Sequence, residues 1–486
     1  MMTKRGGDRG KKSEETMKKL REAAAAGDAQ AQYRLGFCLL YCVGCGRNLR
    51  EAFKWLREAA RRGQPNARFE LGCCLTNGIG CRPNREKAAK LFEKAAAGLR
   101  RGAERGSAEA QNDWGYALLY GLGCEPNPKE AVTWFRKAAR GGHLSGRCNW
   151  GYCLLHGVGC RSNRYEAVKL FREAAEQGDL CGQNNLGYCL EYGLGCIKNP
   201  LEAVRWYRRA ARRGMAEAQY NLGNCLFKGI GHPSAYQKAV ELFRKAARQG
   251  HAPARFKLGY CLEHGIGCDK NLEEAVLCYR RAAEQGDSEA QNHLGYCLYH
   301  GIGCEPNRQE AVLWYRKAAE QGDAAAQNNL GYCLDHGTGC EPNPQEAVLW
   351  YRRATVQGVA QAQLRYGDCA RHLIGHAEAV KWYRASARQG HMEAQYRLGF
   401  CLQLGIGCDK NPEESVKWYR ASARQGYGKA QFSLGRCLEN GDGCAKNPEE
   451  AAQWYGRAAR QGNERAEEAL RRLKPSLWTV FHSAFQ

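Results

Sequence analysis

The sequence predicts an all-α fold, a right-handed α-solenoid of about twelve two-helix repeats with a half-repeat cap at each end. Three observations predict it. First, the phrase Leu-Gly-Tyr-Cys-Leu, or a close variant, recurs with its glycine at Gly36, Gly72, Gly115, Gly151, Gly187, Gly223, Gly259, Gly295, Gly331, Gly367, Gly399 and Gly435. Most of these glycines lie 36 residues apart, and a fixed period of this size marks one supersecondary unit stacked many times. Second, both halves of the unit carry apolar residues at helical spacing. Third, neither half can bury its apolar stripe alone, whereas stacked neighbours share one core. A chain of 486 residues is also too long for a single compact core.

The unit Asp287 to Gly322 shows the elements in order. Ala290, Leu294, Cys297 and Leu298 are spaced i, i+4, i+7, i+8 and form the stripe of helix A. Asp287 or Ser288 caps its start, and Gly301 and Gly303 end it. After a loop through Cys304, Pro306 and Asn307, helix B carries Ala311, Val312, Trp314, Tyr315, Ala318 and Ala319 on one side. Asn307 caps helix B and Gly322 stops it. Gly295 in mid-helix costs roughly 1 kcal/mol against Ala. Its recurrence in every unit points to a close helix crossing.

Two units break the period. Seven extra residues near Ala97 to Ala103 either lengthen helix B by about two turns or, given Gly98 and Gly102, form a bulged loop. Four residues are missing around His372 to His376, where most of the A–B loop is gone. The repeats are expected over residues 14–474. Residues 1–13 read as a disordered basic tail, and 475–486 as a tail carrying Leu477, Trp478, Val480, Phe481 and Phe485. Glu14 to Asp28 matches helix B in register, and Glu464 to Lys474 resembles a charged helix A, as capping halves should.

Composition bounds the partners. The 73 Lys and Arg against 50 Asp and Glu give a net charge of +23, which permits acidic proteins, nucleic acid or anionic membrane. No apolar run is long enough to span a bilayer, and Met1 to Glu15 has no secretory h-region. The expected location is therefore cytoplasmic. There the 26 cysteines are thiols or metal ligands before they are disulfides.

The pattern resembles the Sel1-like repeats, a tetratricopeptide-like solenoid family. Ala326, Leu330-Gly331, Gly337-Thr338-Gly339, Glu346-Ala347, Trp350-Tyr351 and Arg353-Ala354 carry the resemblance, which recurs in all twelve units. Cys304 and its equivalents depart from it, standing where the family usually has Val. The resemblance implies an adaptor in protein assemblies, with helix A lining a concave groove.

Nine units hold a cysteine pair, such as Cys189 with Cys196 or Cys333 with Cys340. The spacing is not a recognised zinc pattern, although His156, His264, His300 and His336 follow the first cysteine by three residues. The pairs are not lost together: Cys124 stands with Ala117, and Cys225 with His232. Small buried thiols are the preferred reading, with metal or disulfide chemistry as alternatives.

A second stripe on helix A, offset by two residues from the core stripe, is the candidate binding face. Its members are Asn184, Tyr188 and Tyr192, then Asn292, Tyr296 and His300, then Asn328, Tyr332 and His336. Asn pairs with peptide backbone, and Tyr supplies contact area at low entropic cost. The alternative is that Asn bonds between repeats and Tyr packs on the next helix. The position just before the loop varies most, from Leu155 and Glu191 to Asp335 and Arg371. The Trp-Tyr pairs of helix B read as core, and the Arg and Lys after them as a solvated face.

No phosphate loop, dinucleotide fingerprint or metalloprotease motif is present, and titratable residues recur in every unit where a catalytic set is normally singular. The expectation is a non-enzymatic scaffold without cofactor or metal, binding a protein or peptide segment. A basic solenoid for nucleic acid and a thiol-rich metal or redox-responsive protein are the alternatives.

Overall fold

A computed structural model of the chain describes residues 4–41, 48–230 and 234–473. Among them are 26 helices, α1 to α26 in chain order, and no strand. They gather into two compact units, Met1–Ala282 and Ala283–Gln486. Within each unit helix A packs on its own helix B and helix B on the next helix A, as α10 does on α11 and α11 on α12. The expected all-α solenoid of paired helices is the observed architecture.

In the first unit, α10 (Leu180–Tyr192) and α11 (Pro200–Arg212) show how sequence sets each boundary. Asp179 accepts the Gly182 N–H and caps α10. Gly193 ends it in the left-handed conformation at φ 72°. Gly195 follows at φ 73°, and a Cβ there would lie 2.3 Å from the Arg164 carbonyl oxygen. The loop therefore sits directly on the backbone at the start of the preceding helix B. Asn199 accepts the Glu202 N–H at 3.1 Å and caps α11, and Pro200 occupies a position that needs no donor. In the second unit Asp287 caps α16 (Ser288–His300) and Asn307 caps α17 (Arg308–Glu320), as expected.

The repeat glycine meets an aromatic ring. A Cβ on Gly295 would lie 2.8 Å from Tyr315 Cδ1 and 3.2 Å from the Ala311 carbonyl oxygen. Gly187 stands in the same relation to Tyr207, and Gly151 to Phe171. The ring is fully buried at Tyr207, Tyr351 and Phe171. The missing side chain on helix A is thus the space that the second aromatic position of helix B fills.

Neighbouring B helices are joined by a polar ladder. Glu202 accepts from Trp206 Nε1 at 3.2 Å within its own helix and from Arg172 of the preceding repeat at 3.2 Å. Arg316 with Glu346 and Arg384 with Glu414 repeat the bridge in the second unit, at 2.5 and 2.6 Å. These bridges are partly exposed, and such pairs contribute up to about 1 kcal/mol each. The guanidinium beside Glu346 holds its carboxyl below the usual range.

Both irregular units are resolved. The seven extra residues lengthen α5 (Arg85–Glu104) to 20 residues, so the bulged loop is not formed. Gly98 lies inside that helix, and a Cβ there would lie 2.6 Å from Pro65 Cγ, so the packing favours glycine at this position. In the shortened unit α20 (Ala360–Leu373) passes to α21 (His376–Arg388) through Ile374 and Gly375 alone. At the N-terminus α1 begins at Lys4, inside the stretch 1–13 expected to be a disordered tail. The tail expected at 475–486 lies outside the described residues.

Candidate functional site

Helix A divides its residues by angle. In α16 Leu294, Cys297 and Leu298 are buried, while Tyr296 is 45% exposed. In α10 Tyr188 and Tyr192 are 40% and 51% exposed. These rings are not consumed by the core, and each meets the ring four residues on. Tyr188 and Tyr192 centroids are 4.8 Å apart, Tyr296 and His300 4.4 Å, and Tyr332 and His336, in α18 (Ala324–His336), 4.2 Å and stacked. Tyr152 with His156 and Tyr260 with His264 extend the series in the first unit. The His336 Nδ1 lies 3.1 Å from the Tyr332 carbonyl oxygen, so this ring turns to its aromatic partner and not toward the cysteines.

The asparagines of the same stripe do something else. Asn184 is 5% exposed, and its Oδ1 accepts from Asn221 Nδ2 of the next repeat at 2.9 Å. Asn292 accepts from Asn329 at 3.0 Å, and Asn112 from Asn149 at 2.8 Å. These are bonds between repeats, the alternative raised for them from sequence. At Asn328 the ladder stops, because the donor position of the next repeat holds Arg365. Asn328 Oδ1, Arg365 Nε and Tyr351 OH are buried without a hydrogen-bond partner among the described residues. The Arg365 guanidinium instead lies over the Tyr332 ring, 4.6 Å from its centroid.

The variable position before the loop has a structural role that sequence reading missed. Glu191 is 7% exposed and accepts from Tyr207 OH at 2.9 Å. Glu263 with Tyr279, Gln403 with Tyr419 and Glu439 with Tyr455 make the same bond at 2.6, 2.9 and 2.7 Å. Where that position is apolar, as in Leu119, Leu155 and Phe227, helix B carries Phe135, Phe171 and Phe243 in place of tyrosine. The signal was present as paired variation sixteen residues apart. In the shortened unit Arg371 takes the position, and Tyr383 OH donates to Asp368 at 2.7 Å.

In the first unit two carboxylates are buried on the side of helix A. Glu70 and Asp113 are 5% and 4% exposed. Tyr41 OH donates to Glu70 at 3.0 Å, and Asn66 and Asn112 donate to Asp113 at 2.5 and 3.1 Å. Burial pushes the two carboxyls up to about 8 and about 7, and the negative charge of Asp113 raises Glu70 further.

The first cysteine of a pair is packed in the core at Cys189 and Cys333, and burial pushes both thiols up to about 12. The second lies under the loop. Cys196 Sγ donates to the Cys189 carbonyl at 3.5 Å, and Cys340 to the Cys333 carbonyl at 3.6 Å. Among the described residues no three His, Cys, Asp or Glu side chains converge as a metal site. No described helix is long and apolar enough to cross a membrane. Of the basic residues after the tryptophans, Arg209 and Lys317 lie over the Trp206 and Trp314 rings at 4.4 and 4.0 Å.

The Sel1 repeat profile matches twelve segments that run almost without gaps from residue 29 to 463: 29–64, 65–98, 108–143, 145–179, 182–215, 216–251, 252–287, 288–323, 324–359, 360–391, 393–427 and 428–463. Among solved structures, the chain is similar to c5321, a protective antigen of uropathogenic Escherichia coli strains with an SLR fold. The two are 28% identical with a TM-score of 0.62, over 96% of this chain and 93% of that one. A Sel1 repeat protein from Oxalobacter formigenes is 30% identical with a TM-score of 0.47, over 52% of this chain and all of that one. No curated protein matches. Proteins built of such repeats are generally scaffolds for protein–protein interaction and typically not enzymes. The glycine that seats a ring, the capped hairpin and the twelve matched segments together place this chain in the Sel1 repeat family.

Proposed function

We propose that the chain is a non-enzymatic scaffold that binds an extended protein segment along the helix A face of each unit. The observation that supports this is the row of half-exposed aromatic side chains, Tyr188 and Tyr192 in the first unit and Tyr296, His300, Tyr332 and His336 in the second. Exposed rings on a rigid helix supply contact area at little entropic cost. Their backbone is fixed by the asparagine ladder beneath, so Asn184 and Asn292 serve the site by holding register between repeats.

The test is a pull-down with two double variants, Tyr188→Ala with Tyr192→Ala and Tyr296→Ala with Tyr332→Ala, against wild type. These rings are half-exposed, so the variants keep the wild-type circular dichroism. Partners held by the wild type are lost from one variant or both. A partner set retained in full by both variants places binding elsewhere on the chain.

A further inference from the structure

The shortened repeat of the second unit carries a cavity of about 280 Å³. Both flanks of its trimmed turn line it, Arg371 at the end of α20 and His376 at the start of α21. Tyr396, Arg397 and Phe400 of α22 (Met392–Leu404), Ile406, Tyr427 and Lys429 close the remaining sides. By repeat position Tyr396, Phe400 and Arg371 correspond to Asn292, Tyr296 and Tyr299, so the cavity opens on the helix A face.

Its charges are unequal in availability. Arg397 is held by Glu393 at 2.8 Å and by Asp368 at 3.2 Å, so it serves as a neutralised wall. Arg371 and Lys429 make no ion pair among the described residues and both are exposed at the rim, where the Arg371 guanidinium lies 3.0 Å from the His372 Nε2 and keeps its charge unneutralised. Arg371 is also singular in the sequence. The equivalent residue is Leu155, Glu191, Glu263, Asp335 or Glu439 in other repeats, and none of the other eleven is basic. Glu393 borders the same space, which penalises a doubly charged phosphate more than a single carboxylate. The aromatic walls and Ile406 suit an apolar flank.

We infer that this cavity is an anchor subsite for a carboxylate carried beside an apolar side chain, presented by an extended peptide. The inference rests on the groove reading above and names a chemistry for one point of it. Arg371 and Lys429 receive the carboxylate, and Phe400, Tyr396 and Tyr427 cover the apolar neighbour. The carboxylate comes from an acidic side chain or from a peptide C-terminus, which share this chemistry.

The experiment uses the full chain and three fluorescent pentapeptides read by anisotropy at low salt: acetyl-Ala-Leu-Glu-Leu-Ala-amide, its Gln counterpart, and acetyl-Ala-Leu-Ala-Leu-Ala with a free C-terminus. The Glu peptide or the free-acid peptide is expected to bind at least about tenfold more tightly than the neutral Gln peptide. Which of the two is the tighter identifies the source of the carboxylate. Arg371→Glu and Lys429→Glu, both at exposed positions, each remove that preference. Equal binding of charged and neutral peptides, binding by none of the three, or a preference that survives both charge reversals overturns the subsite. The pull-down above is read separately, so a failed subsite leaves the groove reading standing on its own result.

Discussion

The bond between Tyr207 and Glu191 gives the sharpest test of how the repeats are held. Tyr207 is fully buried, and its hydroxyl is 2.9 Å from a carboxylate that is itself 7% exposed. Tyr207→Phe keeps the ring that fills the space beside Gly187 but removes the closest donor to the carboxylate, leaving it the weak Cys225 thiol at 3.9 Å. Losing a hydrogen bond to a charged, buried acceptor costs about 1.5–3 kcal/mol. Repeat arrays open locally, so native-state hydrogen exchange of α10 and α11 is the right assay. At about 1.4 kcal/mol per factor of ten, the amides of these helices should exchange about ten- to a hundredfold faster than in wild type. The repeat immediately before supplies the rescue, since Leu155 and Phe171 occupy the same two positions and are both buried. Glu191→Leu combined with Tyr207→Phe replaces both polar partners together and should return exchange to within about 1 kcal/mol of wild type. Wild-type exchange in Tyr207→Phe, or a double variant no better protected than the single one, would refute the reasoning.

Two further outcomes follow from the packing. Gly295→Ala gains about 1 kcal/mol of helix propensity but drives a methyl into Tyr315 and the Ala311 carbonyl, an overpacking cost of about 1–3 kcal/mol, so α16 and α17 should lose protection in hydrogen exchange. A more protected variant would show that the crossing has slack. The carboxyls of Glu70 and Asp113 sit above their ordinary 4.5 and 3.8, so the native state holds protons that the unfolded chain releases. The stabilisation they contribute is complete below about pH 4 and is lost as pH rises through about 7 to 8. Tyr41, Tyr33, Cys73 and Glu109 surround the pair, and none of them supplies a positive charge that would reverse the sign. Urea denaturation followed at the first unit should show stability falling from pH 5 to pH 8, and Glu70→Gln with Asp113→Asn should flatten that fall. Stability that rises over this window excludes the buried pair as its source.

The fold was legible because every unit states the same local physics. Asn199 before Pro200, Gly193 after Tyr192, and an apolar stripe at helical spacing each fix a boundary without reference to distant residues. Twelve repetitions then make the stacking unavoidable. The bulge at Gly98 was undecidable from sequence, because a glycine inside a helix and a glycine in a loop are the same letter. The contact with Pro65 that favours glycine there belongs to another element.

The candidate site was legible in its rings and not in its asparagines. Spacing alone put Tyr188, Tyr296 and Tyr332 on one face of helix A. It could not show that Asn184 and Asn292 reach the next repeat, since that bond depends on the offset between stacked hairpins. Where Arg365 replaces the donor asparagine, the Asn328 oxygen has no partner among the described residues. The same offset also joins Arg371, Lys429 and Phe400, from α20, α24 (Gly428–Asn440) and α22, around one cavity. Local spacing determined the helices, their ends and their exposed rings, because those depend on neighbours three and four residues away. Only the packed structure decided which polar side chains are consumed between repeats and which stay exposed, because that depends on distances between residues a whole repeat apart.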